Sequence, residues 1–183
     1  PEGVEAASLA DRLKDHDERF GVEILPAQAI ASVSNMGDYK LIRTETGGEY
    51  CSRALLLATG SHYKRLGVPG EEDFIVAGIH FCATCDGPFY KGQDMVVIGG
   101  GNSGIEEGLF LTKFANKVTV LEVRERLGAS QILQEFKGDG HLTSVLVKDL
   151  KTGATEELKP GAVFIFIGLD PNTEFLRDVI DLD

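Results

Sequence analysis

Val96-Val97-Ile98-Gly99-Gly100-Gly101-Asn102-Ser103-Gly104 is the stretch whose reading decides the fold. Met95 to Ile98 is an unbroken apolar run and reads as a buried strand. It breaks into glycines at the spacing Gly99-x-Gly101-x-x-Gly104, and a helical pattern then continues to about Ala115. A strand before the glycines and a helix after them is the context that gives this spacing a mechanical meaning. The first glycine makes the tight turn, and the second lets a pyrophosphate approach the backbone. The third lets the helix pack close to the strand, with the helix N-terminus facing the phosphates. Asn102 and Ser103 fill the remaining positions of that turn. The competing reading is a glycine-rich turn that binds nothing. A second strand, Val118 to Glu122, follows the helix, so the segment is a βαβ unit in a parallel sheet of the α/β class.

The same motif expects an acidic residue about twenty positions on, at the end of the next strand. Glu122 occupies that place. A carboxylate there accepts hydrogen bonds from an adenosine ribose 2′-OH and repels a 2′-phosphate, which leans toward NADH over NADPH. Arg124 and Arg126 lie just beyond and are suited to hold a phosphate. All three also fit a solvated charged loop.

Working outward, residues 4–20 carry Val4, Leu9, Leu13 and Phe20 at roughly helical spacing among charged residues, an amphipathic surface helix that Gly21 ends. Val22 to Leu25 reads as a short strand. Ile30 to Ser34, Lys40 to Thr44 and Glu49 to Ser52, separated by glycine turns, read as an antiparallel meander. Ala54 to Ala58 (ALLLA) reads as a strand buried on both faces, ending at Thr59-Gly60. Gly67-Val68-Pro69-Gly70 is the best linker. Leu142 to Lys148 and Thr155 to Leu158 flank Lys151-Thr152-Gly153 as a hairpin, and Ala162 to Ile167 is a further buried strand.

Composition narrows the class. The 183 residues are 43% hydrophobic and 26% charged, an ordinary globular profile, and no apolar run approaches the length of a membrane span. The formal charge of −11 argues against nucleic acid or an anionic membrane as partner. Three cysteines without a signal peptide point to a reducing, cytoplasmic setting. Cys51 follows Tyr50 at a strand end and reads as a packed structural thiol. Cys82-Ala83-Thr84-Cys85 is a Cys-x-x-Cys, which can close a small reducible ring, one thiolate attacking while the other resolves. Asp86 beside it is suited to carry a proton. Zinc is the alternative, with His80 nearby, but no second Cys-x-x-Cys completes four ligands. An inert buried pair is the other.

CATCDGPFY, followed shortly by VVIGGGNSG, closely resembles bacterial thioredoxin reductase of the low-molecular-weight type. ALLLATGS upstream, AVFIFIGLDPNT downstream and DERFGVEIL near the start also resemble that family, in the right order over nearly the whole chain. The resemblance implies a flavoprotein with two dinucleotide-binding domains, an FAD/NAD(P)-binding fold. Residues 1–67 would belong to the FAD domain, 68–168 would form the NAD(P)H domain with the redox pair, and 169–183 would return to the FAD domain. Electrons would pass from NAD(P)H through FAD to the cysteine pair and on to thioredoxin or a similar small redox protein. In that scheme Cys85 lies against the flavin, Cys82 attacks the partner disulfide, and Asp86 gives and takes protons. Gly99 to Gly104 (Gly99, Gly100, Gly101, Asn102, Ser103, Gly104) bind the nicotinamide dinucleotide, and Thr59 and Gly60 lie along the FAD. The family also implies a homodimer and a large domain rotation.

Four departures stand out. No glycine-rich ADP-binding turn precedes Pro1, and no Gly-Asp flavin segment precedes Asp183, so the sequence reads as part of a longer chain. After a helical stretch Gln131-Ile132-Leu133-Gln134, the family runs through more helix and a strand before the turn matched by Gly138-Asp139-Gly140, and here that strand reads as missing. Finally, Glu122-Val123-Arg124 stands where NADPH-using members carry His-Arg-Arg. This is closer to the NADH-dependent flavoprotein of alkyl hydroperoxide reductase, which reduces a peroxiredoxin. The alternatives are therefore an NADH-dependent reductase of a peroxiredoxin system, or a non-catalytic nucleotide-binding module.

Overall fold

A computed structural model describes residues 3–122, 131–176 and 179–180. The chain divides into two compact units, one of Pro1–Thr59 with Thr173–Asp183 and one of Gly60–Asn172. The divisions at 67/68 and 168/169 read from the sequence concern cofactor domains and are different boundaries from these.

The second unit is built on a four-stranded parallel sheet in the order β5 (Ile79–His80), β11 (Ala162–Ile165), β6 (Asp94–Ile98), β7 (Lys117–Leu121). Side chains alternate across it, and both faces are buried. Met95 and Val97 of β6 join Ala162 and Phe164 of β11 on the face covered by α3 (Ala83–Asp86) and α4 (Asn102–Leu111). Val96 and Ile98 join Val163 and Ile165 on the opposite face. That face is covered by a second, antiparallel sheet, ordered β10 (Thr155–Leu158), β9 (Leu142–Asp149), β8 (Gln131–Gly138). The βαβ unit and the β9–β10 hairpin are as expected.

The stretch expected to be helical, Gln131 to Gln134, is instead the start of strand β8, which turns through Gly138-Asp139-Gly140 into β9. A bulge explains the misreading. The register slips between Leu133 and Glu135, so Leu133 and Phe136, three apart, both reach the core. An extra residue in a strand gives apolar residues a helix-like spacing.

Strand β4 (Ser61–Tyr63) pairs antiparallel with β12 (Leu169–Pro171), and Glu71 at the start of α2 (Glu71–Phe74) ties down the chain between β4 and β5. Its carboxylate is only 2% exposed and accepts the backbone N–H of Leu66 at 3.0 Å and of Gly67 at 2.8 Å.

In the first unit, α1 (Ala6–Arg19) is the expected opening helix and ends at Gly21, whose φ of +75° suits glycine. Strands β1 (Ile30–Met36), β2 (Tyr39–Thr44) and β3 (Glu49–Ser52) form the expected meander, with Val33 and Ile42 packed on Leu176. Three expectations fail here. Neither Val22–Leu25 nor Ala54–Ala58 forms a strand. A strand needs ladder partners, and among the described residues none pairs with either segment; Leu56 is 90% exposed. Cys51 is an exposed free thiol, because among the described residues β3 is an edge strand bonded only to β2. Among the described residues no helix is long and apolar enough to cross a membrane.

Phe164 is fully buried between the parallel sheet and its helices. Phe164→Ala should destabilise the second unit by about 3–5 kcal/mol, measured as faster amide exchange throughout β6 and β11; protection equal to that of the unmodified protein would contradict this packing.

Candidate active site

The cysteine pair sits where the chain leaves β5. Cys82 is the N-cap of α3, and its Sγ is bonded to Cys85 in a disulfide with a Cα–Cα distance of 5.3 Å. The Cys85 N–H is directed at Cys82 Sγ from 3.2 Å, and Thr84 Oγ1 lies 3.4 Å from the same sulfur. Cys85 is exposed, whereas Cys82 is half-buried. Gly87 follows at once, and its lack of a side chain is what seats the loop. A Cβ there would stand 2.7 Å from Leu111 Cδ2, at the last residue of α4.

Asp86 has a defined neighbour. Its Oδ2 lies 3.3 Å from His80 Nδ1, and His80 Nε2 is 2.8 Å from the Tyr90 hydroxyl. His80 is 8% exposed, with Phe164 packed against its ring. Burial pushes the histidine below its ordinary value of 6.5, and Asp86 partly opposes that shift. Burial, followed by the Asp86 carboxylate, pushes Tyr90 above its ordinary value of 10.0.

The glycine turn lies at the other end of α4. Gly99 has φ +116°, and a Cβ there would collide with the Phe166 carbonyl. A Cβ on Gly104 would collide with the Gly99 carbonyl, so helix and strand meet backbone to backbone. Gly101 differs: nothing lies within 4 Å of where its Cβ would be. That open space in front of the α4 N-terminus, with Gly101, Asn102 and Ser103 all exposed, fits a pyrophosphate. Glu122, just past β7, accepts the Gly100 N–H through Oε2 at 2.7 Å. Its carboxylate is therefore part of the turn. Arg124 lies outside the described residues.

Thr59 and Gly60 are both exposed, and Gly60 has φ +71° with its carbonyl accepting the Asn172 N–H at 3.0 Å. The 183 residues contain one Gly-x-Gly-x-x-Gly, and it is the turn just described. Thr59 and Gly60 do not by themselves make a cradle for FAD.

The structure thus brings Cys82, Cys85 and Asp86 together at one end of α4 and gathers Gly99 to Gly104 with Glu122 at the other. The ten-residue helix between them is about 15 Å long. Sequence reading missed the roles of His80 and Tyr90. The proximity of His80 to Cys82 was the available signal, but it suggested only a metal ligand. Among the described residues no cluster of three such ligands exists.

A family model described as pyridine nucleotide-disulphide oxidoreductase matches residues 3–182. Thioredoxin reductase of Streptomyces clavuligerus is 36% identical over 200 residues, covering 100% of this chain and 62% of that protein. That of Bacillus subtilis (strain 168) is 36% identical over 189 residues, covering 93% of this chain and 59% of that protein. The crystal structure of thioredoxin reductase from Streptococcus pyogenes MGAS5005 is 34% identical, with a TM-score of 0.73, covering 98% of this chain and 64% of the other. The chain therefore spans somewhat less than two thirds of the length of these relatives. With a glycine turn and a disulfide at the two ends of one helix, and a family match over residues 3–182, the chain belongs to the pyridine nucleotide-disulphide oxidoreductases.

Proposed function

We propose that the protein is a thioredoxin-disulfide reductase-like flavoenzyme that carries electrons from NAD(P)H to the Cys82–Cys85 pair and on to a protein disulfide. The observation that carries this reading is the exposed disulfide packed, through Gly87, on the helix whose other end makes the dinucleotide turn. Thioredoxin or a similar small redox protein is the acceptor, a homodimer the working unit and the cytoplasm the setting. FAD, implied by the resemblance, would supply the electron acceptor between nicotinamide and disulfide.

The residues of this chain perform the rest. Gly99 to Gly104 present backbone and helix N-terminus to the pyrophosphate, and Glu122 receives the adenosine ribose. Reduction breaks the Cys82–Cys85 bond and adds two electrons and two protons to the pair. One thiolate then attacks a sulfur of the partner disulfide, forming a mixed disulfide and expelling the partner's other sulfur, which takes a proton. The second cysteine attacks the mixed disulfide, restoring the ring and releasing the reduced partner. Asp86 is the proton carrier for the pair.

The resemblance assigns the attack to Cys82. The exposures favour Cys85, because Cys82 is half-buried while Cys85 meets solvent. Single-serine variants of the full-length protein decide the matter. Cys82→Ser should trap a stable mixed disulfide between Cys85 and a partner that lacks its own resolving cysteine, seen on a non-reducing gel. Trapping through Cys82 in Cys85→Ser alone would return the attack to Cys82, and trapping by neither would sink the redox assignment.

Glu122 carries the second reading, an NADH-dependent reductase of a peroxiredoxin system. Glu122→Gln keeps an acceptor for the Gly100 N–H while removing the charge, and Glu122→Ala removes both. Both variants should lose discrimination against NADPH, by about tenfold for one charge-assisted contact. Only the alanine variant should also loosen the turn and weaken both nucleotides. An unchanged ratio of kcat/KM for the two nucleotides would show that Glu122 does not meet the ribose.

A further inference from the structure

We propose that His80 is a positioning residue for Asp86 and is itself held by Tyr90, so that the three side chains form one hydrogen-bonded line ending beside the cysteine pair. The inference rests on the reading of Asp86 as the proton carrier. His80 comes from β5, Asp86 from the end of α3 and Tyr90 from the 3-10 turn Gly87–Tyr90 that follows. The short helix after Cys85 folds the chain back, and so lets one imidazole touch two residues of the redox loop.

Both ring nitrogens are engaged, Nε2 with the Tyr90 hydroxyl at 2.8 Å and Nδ1 with Asp86 Oδ2 at 3.3 Å. A buried histidine needs partners for its polar atoms, and that requirement alone would account for Tyr90. It does not account for Asp86, whose side chain is 32% exposed and has water available. The chemistry of the partners sets the direction of the line. An ionised carboxylate only accepts, so Nδ1 carries the proton and donates to Asp86; Nε2 is then the acceptor, and the Tyr90 hydroxyl donates to it. Burial keeps the ring neutral near pH 7, which this tautomer requires. The titratable groups facing His80 are Asp86 and Tyr90; from β11 its neighbour is the apolar Phe164, with ring centroids 5.5 Å apart. In this arrangement His80 fixes which way the Asp86 carboxylate turns, and Tyr90 fixes the tautomer of His80.

The test is a double-mutant cycle in the full-length holoprotein, reading thioredoxin reduction at a saturating nicotinamide nucleotide. His80→Phe preserves ring volume and should lower kcat by about five- to twentyfold, with the KM for the nucleotide unchanged. Tyr90→Phe, which removes one hydroxyl, should act in the same direction by about two- to threefold, and it supplies the cycle if His80→Phe does not fold. In an Asp86→Asn background each of these substitutions should add nothing. Independently of turnover, the ¹⁵N shifts of His80 should report the Nδ1–H tautomer and a midpoint below 6.5, falling further in Asp86→Asn as the favourable charge is removed. Undiminished effects of His80→Phe or Tyr90→Phe in the Asp86→Asn background would overturn the proposal, as would an Nε2–H tautomer. Asp86→Asn at the unmodified rate would instead overturn the proton-carrier reading on which it rests.

Discussion

Everything in the second unit depends on the meeting of Gly104 with the carbonyl of Gly99. No side chain fits between them, so α4 starts directly against the end of β6. That one approach aims the helix N-terminus at the open space in front of Gly101. It also fixes where the far end of the helix lies. Leu111 is carried to Gly87, and the cysteine loop is seated there where a Cβ would press on Leu111 Cδ2 from 2.7 Å. Glycines at the two ends of one helix thus place both halves of the candidate site. Because α4 is a single rigid element, the spacing between the halves is set by its length, about 15 Å.

The disulfide faces solvent at Cys85. Beside it a partly exposed Asp86 is backed by a buried His80, with Tyr90 behind.

The parts of the fold legible in the sequence are those fixed by local chemistry. The Gly-x-Gly-x-x-Gly turn, the alternating burial of β6 and β11, the Lys151-Thr152-Gly153 hairpin and the end of α1 at Gly21 all follow from backbone freedom or side-chain period. The misread segments depend on partners elsewhere. Ala54–Ala58 has the composition of a doubly buried strand, yet composition records a demand for neighbours without supplying them. Leu133 and Phe136 mimic a helix because a bulge lies between them, and their spacing alone does not tell a bulged strand from a helix. The site divides the same way. Cys82, Cys85, Asp86 and Glu122 are announced by spacing. His80 and Tyr90 become visible only once β5 and the turn after α3 are brought together, and the hold of Glu122 on Gly100 is a tertiary fact of the same kind.

The central claim is that reducing equivalents taken from a nicotinamide nucleotide end on Cys82 and Cys85. The direct measurement is anaerobic incubation of the full-length protein with NADH or NADPH, followed by alkylation and peptide mass spectrometry. The account predicts that both Cys82 and Cys85 become alkylated only after nucleotide is added, while Cys51, already a free exposed thiol, is labelled with or without it. Nucleotide oxidised with the Cys82–Cys85 bond left intact would contradict it.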